Sequence, residues 1–183
     1  IEIIFIDDAS TNEVLKKQNK SIQEIVHRYI ILEQNIGRAK IRNLFLKYVN
    51  YDYLLFIDGD SKIICQEYLK RIIDIIKTEK NLKVISFSRI YPSKKPNIKY
   101  QLRWYYGIKS ETKAIKKNNN SFMTSNFLIN KKLFSKINFN EKITDYGHED
   151  SLFGYDLKKN GIQINNINNP VLNNELETNN VFI

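Results

Sequence analysis

Five apolar, β-prone residues, Tyr53-Leu54-Leu55-Phe56-Ile57, run straight into Asp58-Gly59-Asp60. An unbroken run of this kind reads as a strand buried on both faces, as in a sheet with helices on each side. Ligands of such sheets bind beyond the carboxyl ends of the strands. Asp58 and Asp60 are expected there. Gly59 between them lets the chain bend and lets a ligand approach the backbone. Two carboxylates at this spacing suit a hard divalent cation, Mg²⁺ or Mn²⁺, held together with substrate phosphates. Asp and Gly are also common turn formers, so the tripeptide alone leaves a plain solvated turn open.

A second strand, Ile1 to Ile6, delivers another acidic pair, Asp7-Asp8. Ser10 or Thr11 is expected to cap the helix after it. Arg28 to Leu32 is a short strand, and Asn35 and Gly37 mark a loop. From Arg38, Ile41, Leu44, Phe45 and Tyr48 recur at helical spacing. Arg38 and Arg42 share another face of that helix, where they read as phosphate contacts or as two surface arginines. Gln66 to Lys77 is an amphipathic helix and Leu82 to Ser88 another strand. The alternation predicts right-handed crossovers and a mainly parallel sheet.

From Arg89 the pattern changes. Tyr100 to Gly107 is aromatic and basic, fit to line a sugar groove or simply to pack. Lys113 to Asn120 is a polar loop, and Phe122 to Ile129 turns apolar again. A second acidic centre follows at Asp145-Tyr146-Gly147-His148-Glu149-Asp150, opening a helix that ends near Asn160 before Gly161. Acids in a first turn suit the helix dipole; they also suit a general base facing a cleft. Gln163 to Ile167 is a last strand, and Asn169-Pro170-Val171 is expected to turn the chain.

Composition narrows the class. A chain of 183 residues with 42% hydrophobic content suits one domain with a real core. Cys65 is the sole cysteine, so neither a disulfide framework nor a zinc cluster is available, and a reducing, cytoplasmic setting is the default. No run approaches a membrane span. The net charge of +9 suits a phosphate-bearing substrate or contact with an anionic membrane face. A nucleic-acid role is disfavoured, because the aromatics are not interleaved with a basic stripe. The chain opens at Ile1, without Met and inside a strand pattern, so an N-terminal truncation is expected.

Taken in order, IFIDDAST, NIGRAKIRN, LLFIDGD and YGHEDSLFGYDL resemble the motifs of family 2 glycosyltransferases, from Ile1 to about Val171. The resemblance implies an α/β GT-A fold, Rossmann-like, with a mainly parallel central sheet, helices on both faces, and the first strand and helix missing before Ile1. It implies a single domain, with residues 1–88 as the nucleotide-binding half and 89–183 as the acceptor-binding half. It implies a nucleotide-diphosphate sugar donor, expected to be a UDP-sugar, a saccharide or lipid-linked saccharide acceptor, inversion at the anomeric carbon, and a role in bacterial cell-envelope polysaccharide synthesis. By the same resemblance, Asp8 binds the nucleobase with Asp7 beside it, Arg38 and Arg42 support the nucleotide, and Asp58 contacts the ribose and the metal. Asp60 ligates the metal, Asp150 is the base, and Glu149 orients the acceptor. Where the family often places a metal-binding His, this chain has Asn173. Two rivals stay open at this stage: a sugar-phosphate nucleotidyltransferase, and a non-catalytic nucleotide-sugar-binding domain.

Overall fold

The computed structural model describes residues 1–112, 122–143, 148–173 and 175–182. The polar stretch Lys113–Asn120 and the Asp145-Tyr146-Gly147 entry to the second acidic centre lie outside the described residues. Two sheets carry the fold. Strands β1 (Ile4–Asp7) and β2 (Arg28–Ile31) pair in parallel, joined by helix α1 (Glu13–Ser21). Asn12 caps that helix, its side chain accepting from Val14 and Leu15, so neither Ser10 nor Thr11 takes the role expected of them. The larger sheet orders β3 (Tyr53–Ile57), β6 (Asn126–Asn130), β5 (Val84–Ile90), β7 (Ile164–Asn173) and β4 (Ser61–Ile63). Helix α2 (Arg38–Leu44) precedes β3, and α3 (Tyr68–Thr78) links β4 to β5. Helix α4 (Gln101–Tyr106) follows β5, α5 (Lys131–Phe134) follows β6, α6 (Glu149–Lys159) leads into β7, and α7 (Asn179–Phe182) closes the order.

The expected α/β architecture is present, and the sheet is mixed. Strand β6 is antiparallel to both β3 and β5, β7 is parallel to β5, and β4 is antiparallel to β7. Strands β3, β5 and β7 therefore all point the same way. Their carboxyl ends, at Asp58, Arg89 and Asn173, gather along one edge of the sheet, where open α/β sheets bind ligands.

Alternation along the strands fills both faces. Leu54, Phe56, Phe127, Ile129 and Val84 face a core that includes Phe134, Phe139, Phe153 and Leu157. Tyr53, Leu55, Ile57, Leu128, Ile85 and Phe87 face Tyr68 and Ile72 of α3. The run 53–57 is thus covered on both sides, as its lack of polar alternation predicts. Aromatic rings dominate the first layer: Phe56 stacks on Phe127 at 4.7 Å and Phe139 on Phe153 at 4.2 Å. Such pairs add about 0.5–1.5 kcal/mol each beyond their buried area.

Strand β7 departs from the sequence reading. It runs through Asn169-Pro170-Val171 as a bulge and does not reverse there: Phe87 pairs with Ile167 and Arg89 with Val171. Proline has no N–H to give a ladder, and bulges accommodate that defect. The bulge turns Asn169 inward, where its Nδ2 donates to the Tyr68 carbonyl at 3.1 Å. Asn126 completes the polar knot, accepting from the Tyr68 hydroxyl at 2.6 Å and donating to the carbonyls of Ser88 and Asn169, both at 3.2 Å. This knot ties β5, β6, β7 and α3 together directly beneath the site edge.

Candidate active site

The site is built from the strand ends. Past β3 the chain makes a tight turn, with the Ser61 N–H donating to the Asp58 carbonyl at 3.0 Å. The Asp58 N–H donates to the Ser125 carbonyl at 3.1 Å, which locks the turn to the start of β6. A Cβ built on Gly59 would meet nothing within 4 Å, so the space above it is open to a ligand.

Arginines surround the turn. Arg42 Nη2 lies 3.1 Å from Asp58 Oδ1, and its Nη1 lies 3.3 Å from Glu149 Oε1. Arg38 reaches the same two carboxylates, at 3.7 Å from Asp58 and 3.4 Å from Glu149. Arg89 reaches Asp58 Oδ2 at 3.4 Å and Asp60 Oδ1 at 3.8 Å. One ionic network therefore runs from Asp60 through Asp58 and the arginines to Glu149. Arg42 and Glu149 are both buried, at 6% and 5% exposure, so the centre of the network is internal.

Helix α6 brings the second acidic centre to the first. Glu149, Phe153 and Leu157 recur on its buried stripe, so packing of the two apolar residues sets where Glu149 points. Asp150 follows on the neighbouring face, its Oδ1 accepting from the Ser151 N–H at 2.7 Å. Burial pushes the Asp150 carboxyl above its ordinary value; Glu149 adds to the rise, and Arg42 and Arg38 oppose it. Burial likewise raises Asp60, Arg89 pulls it back, and Asp58 and Arg38 act with opposite signs. Arg38 therefore acts electrostatically on both Asp60 and Asp150. His148, just before α6, has a left-handed backbone, φ 69°.

Asp7 and Asp8 hold their own loop. Asp7 Oδ1 accepts from the Ser10 N–H at 2.7 Å and Oδ2 from Asn19 Nδ2 at 2.8 Å. Its burial works against ionisation, yet these hydrogen bonds outweigh it and hold the carboxyl below the usual range. Asp8 accepts from the Ile36 and Gly37 N–H groups at 2.8 and 3.1 Å. Gly37, at φ 85°, is the N-cap of α2, so Asp8 fixes the start of the helix that carries Arg38 and Arg42. Glu149, expected to orient the acceptor, is buried and paired with Arg38 and Arg42.

The sequence reading passed over Arg89. A charged side chain inside the buried Val84–Ile90 strand, whose other residues are apolar or serine, was its signal, since arginine is rarely buried without a partner. It also passed over β4, whose pairing sets Ser61 opposite Asn173.

The donor set fits a hard divalent cation. Among the described residues no cluster of three or more His, Cys, Asp or Glu side chains forms a metal cage. Asp58 and Asp60 supply two carboxylates beside the point where Asn173 arrives. The Oδ1 atom of Asn173 is buried without a hydrogen-bond partner among the described residues. Two carboxylates, a neutral carbonyl oxygen and substrate phosphates make the all-oxygen environment that Mg²⁺ or Mn²⁺ takes.

Solved structures define the class. TarS from S. aureus (its 1–349 segment) is similar at TM-score 0.61 and 20% identity, over 97% of this chain and 50% of that one. The mannosyltransferase PcManGT from Pyrobaculum calidifontis, solved with GDP-Man and Mn²⁺, matches at TM-score 0.64 and 13% identity, over 93% and 47%. GalNAc-T7, solved with UDP, GalNAc and Mn²⁺, matches at TM-score 0.65 and 15% identity, over 94% and 37%. The fold is that of GT-A glycosyltransferases. The chain belongs to glycosyl transferase family 2, whose model matches residues 1–137. It spans about half the length, or less, of the solved structures it resembles. No curated protein sequence matches it.

Proposed function

We propose that this domain transfers a sugar from a nucleotide-diphosphate donor, a UDP-sugar in the first instance, to an acceptor hydroxyl with inversion at the anomeric carbon. The observation that supports this reading is the ionic network that runs from Asp60 and Asp58 through Arg89, Arg38 and Arg42 to Glu149, the residue next to Asp150. Asp58, Asp60 and the Asn173 carbonyl would hold Mg²⁺ or Mn²⁺, which when bound supplies Lewis-acid neutralisation of the departing diphosphate. Arg38 and Arg42 add fixed positive charge beside the leaving group. Asp150 takes the proton from the acceptor hydroxyl as its oxygen bonds to the anomeric carbon. The bond from that carbon to the diphosphate breaks, and the nucleoside diphosphate leaves with the electron pair. Attack from the face opposite the leaving group inverts the configuration.

Asp8 and Asp7 shape the nucleoside side of the cleft and order α2. Glu149 acts through the arginines as a positioning residue. In this reading residues 1–88 serve the donor and 89–183 the acceptor, a saccharide or lipid-linked saccharide of a bacterial cell envelope, with the domain working at the cytoplasmic face of the membrane. No helix among the described residues is long and apolar enough to cross a membrane. Peripheral contact has local support around α4, where Ile98, Leu102 and Tyr105 are exposed at 76%, 40% and 56%. Lys94, Lys95, Lys99 and Lys109 are exposed beside them, and residues 91–110 contain no Asp or Glu. Co-sedimentation with anionic vesicles, and not with neutral ones, is the outcome expected of that surface.

Thermal shift of the full-length protein against a panel of nucleotide sugars, with and without Mn²⁺, tests the donor assignment. One donor should raise the melting temperature only when Mn²⁺ is present, and Asp60→Asn should abolish that rise. Release of pyrophosphate from a sugar phosphate and a nucleoside triphosphate would move the protein to the nucleotidyltransferase class. No response to any donor would favour a non-catalytic domain.

A further inference from the structure

Arg89 touches both Asp58 and Asp60, at 3.4 and 3.8 Å. It sits near the end of β5, opposite Val171, and is only 7% exposed. Its Nε–H is buried with no hydrogen-bond partner among the described residues. An unpaired donor on a buried cation is costly, more so than on a neutral group. The guanidinium lies against both acids as a fixed cation. The group therefore occupies the two carboxylates a divalent ion would use, while keeping a donor spare.

We propose that Arg89 is a built-in competitor and partner of the metal: it holds Asp58 and Asp60 in the donor-free domain, disfavours a divalent ion there, and binds the donor's diphosphate once the metal takes the carboxylates. This rests on the reading of the cleft as a nucleotide-sugar site. The spare Nε–H and the fork geometry suit a phosphate oxygen, which arginine grips with two parallel N–H groups. Metal and diphosphate then bind in concert. The ion displaces the guanidinium from the acids, and the diphosphate takes up the guanidinium. Positive coupling of this kind follows whenever one ligand relieves the cost of placing the other.

The test measures Mn²⁺ binding to the full-length, donor-free protein by electron paramagnetic resonance, and UDP binding at saturating Mn²⁺ by calorimetry. Arg89→Gln removes the competing charge, so Mn²⁺ affinity should rise about tenfold, as expected for losing a nearby like charge in a partly screened site. UDP affinity at saturating Mn²⁺ should fall about tenfold, the two constants moving in opposite directions. Arg89→Lys keeps the charge and loses the fork: Mn²⁺ affinity stays near wild type while UDP affinity falls. A purely structural arginine would weaken both ligands together, or neither, in Arg89→Gln, and either pattern overturns the proposal. Mn²⁺ binding to neither wild type nor variant overturns the proposal together with the metal-assisted reading. Mn²⁺ binding without UDP binding in the wild type overturns the diphosphate role together with the UDP assignment and leaves the metal site standing.

Discussion

Asp150→Asn lowers turnover by on the order of 10²–10⁴-fold, the usual contribution of a positioned general base. The amide keeps the shape of the carboxylate and cannot take the acceptor's proton. KM for the donor should change little, because in the proposed reading Asp150 serves the acceptor. Stability should move the other way. Burial, with Glu149 adding, raises the Asp150 carboxyl in the folded state. An acid whose folded pKa is raised loses stability as pH climbs from its unfolded value through its folded one, so at neutral pH the ionised form is a burden to the fold. Asp150→Asn should therefore melt at or above the wild-type temperature at pH 7. For the same reason the acid limb of kcat/KM in the wild type should lie above the ordinary aspartate value of 3.8. A variant with unimpaired turnover would remove Asp150 from the base role.

Arg42→Met should be the most destabilising single change in the network. The guanidinium sits 3.1 Å from Asp58 and 3.3 Å from Glu149, and 5.4 Å from the centre of the Phe139 ring. Methionine fills much of the volume but strands the buried Glu149 carboxylate. Breaking a buried pair from one side costs about 3–5 kcal/mol, which for a chain of this size lowers Tm by about 6–20 °C. Arg38 still touches both acids, so the lower part of that range is expected. The double variant Arg42→Met with Glu149→Gln should recover much of the loss, since it leaves no uncompensated charge, and thermal denaturation of the three variants closes the cycle. Additive losses would mean that the two side chains act independently.

Much of this arrangement was legible in the letters. Residues 53–57 lack polar alternation, and they are covered on both faces. Asp58 and Asp60 follow the strand directly, and strand direction alone puts them at the carboxyl edge of the sheet. Glu149 and Asp150 open α6, where helix periodicity separates a buried acid from a half-buried one; spacing could not say which arginines would lie over the first. Asp7 and Asp8 look like a free acidic pair in sequence. Three of their hydrogen bonds come from backbone groups of Ser10, Ile36 and Gly37, which no side-chain pattern records, and another from the Asn19 side chain a helix away. The β7 bulge was hidden because Asn-Pro reads locally as a turn, while β5 alongside it continues the ladder. Arg89 was missed because its partners lie across the sheet, at the ends of other elements.

Paramagnetic relaxation by Mn²⁺ tests most directly whether the two acidic centres share a cleft. With Mn²⁺ and UDP titrated into the isotopically labelled full-length protein, the amide signals of Gly59, Asp60 and Ser61 should broaden first. Those of Glu149, Asp150 and Ser151 should broaden with them, and Asp60→Asn should erase both effects. Broadening at 59–61 with unperturbed signals at 149–151 would contradict the single-cleft account, and Asp150 would no longer be placed to act on a sugar held at the metal.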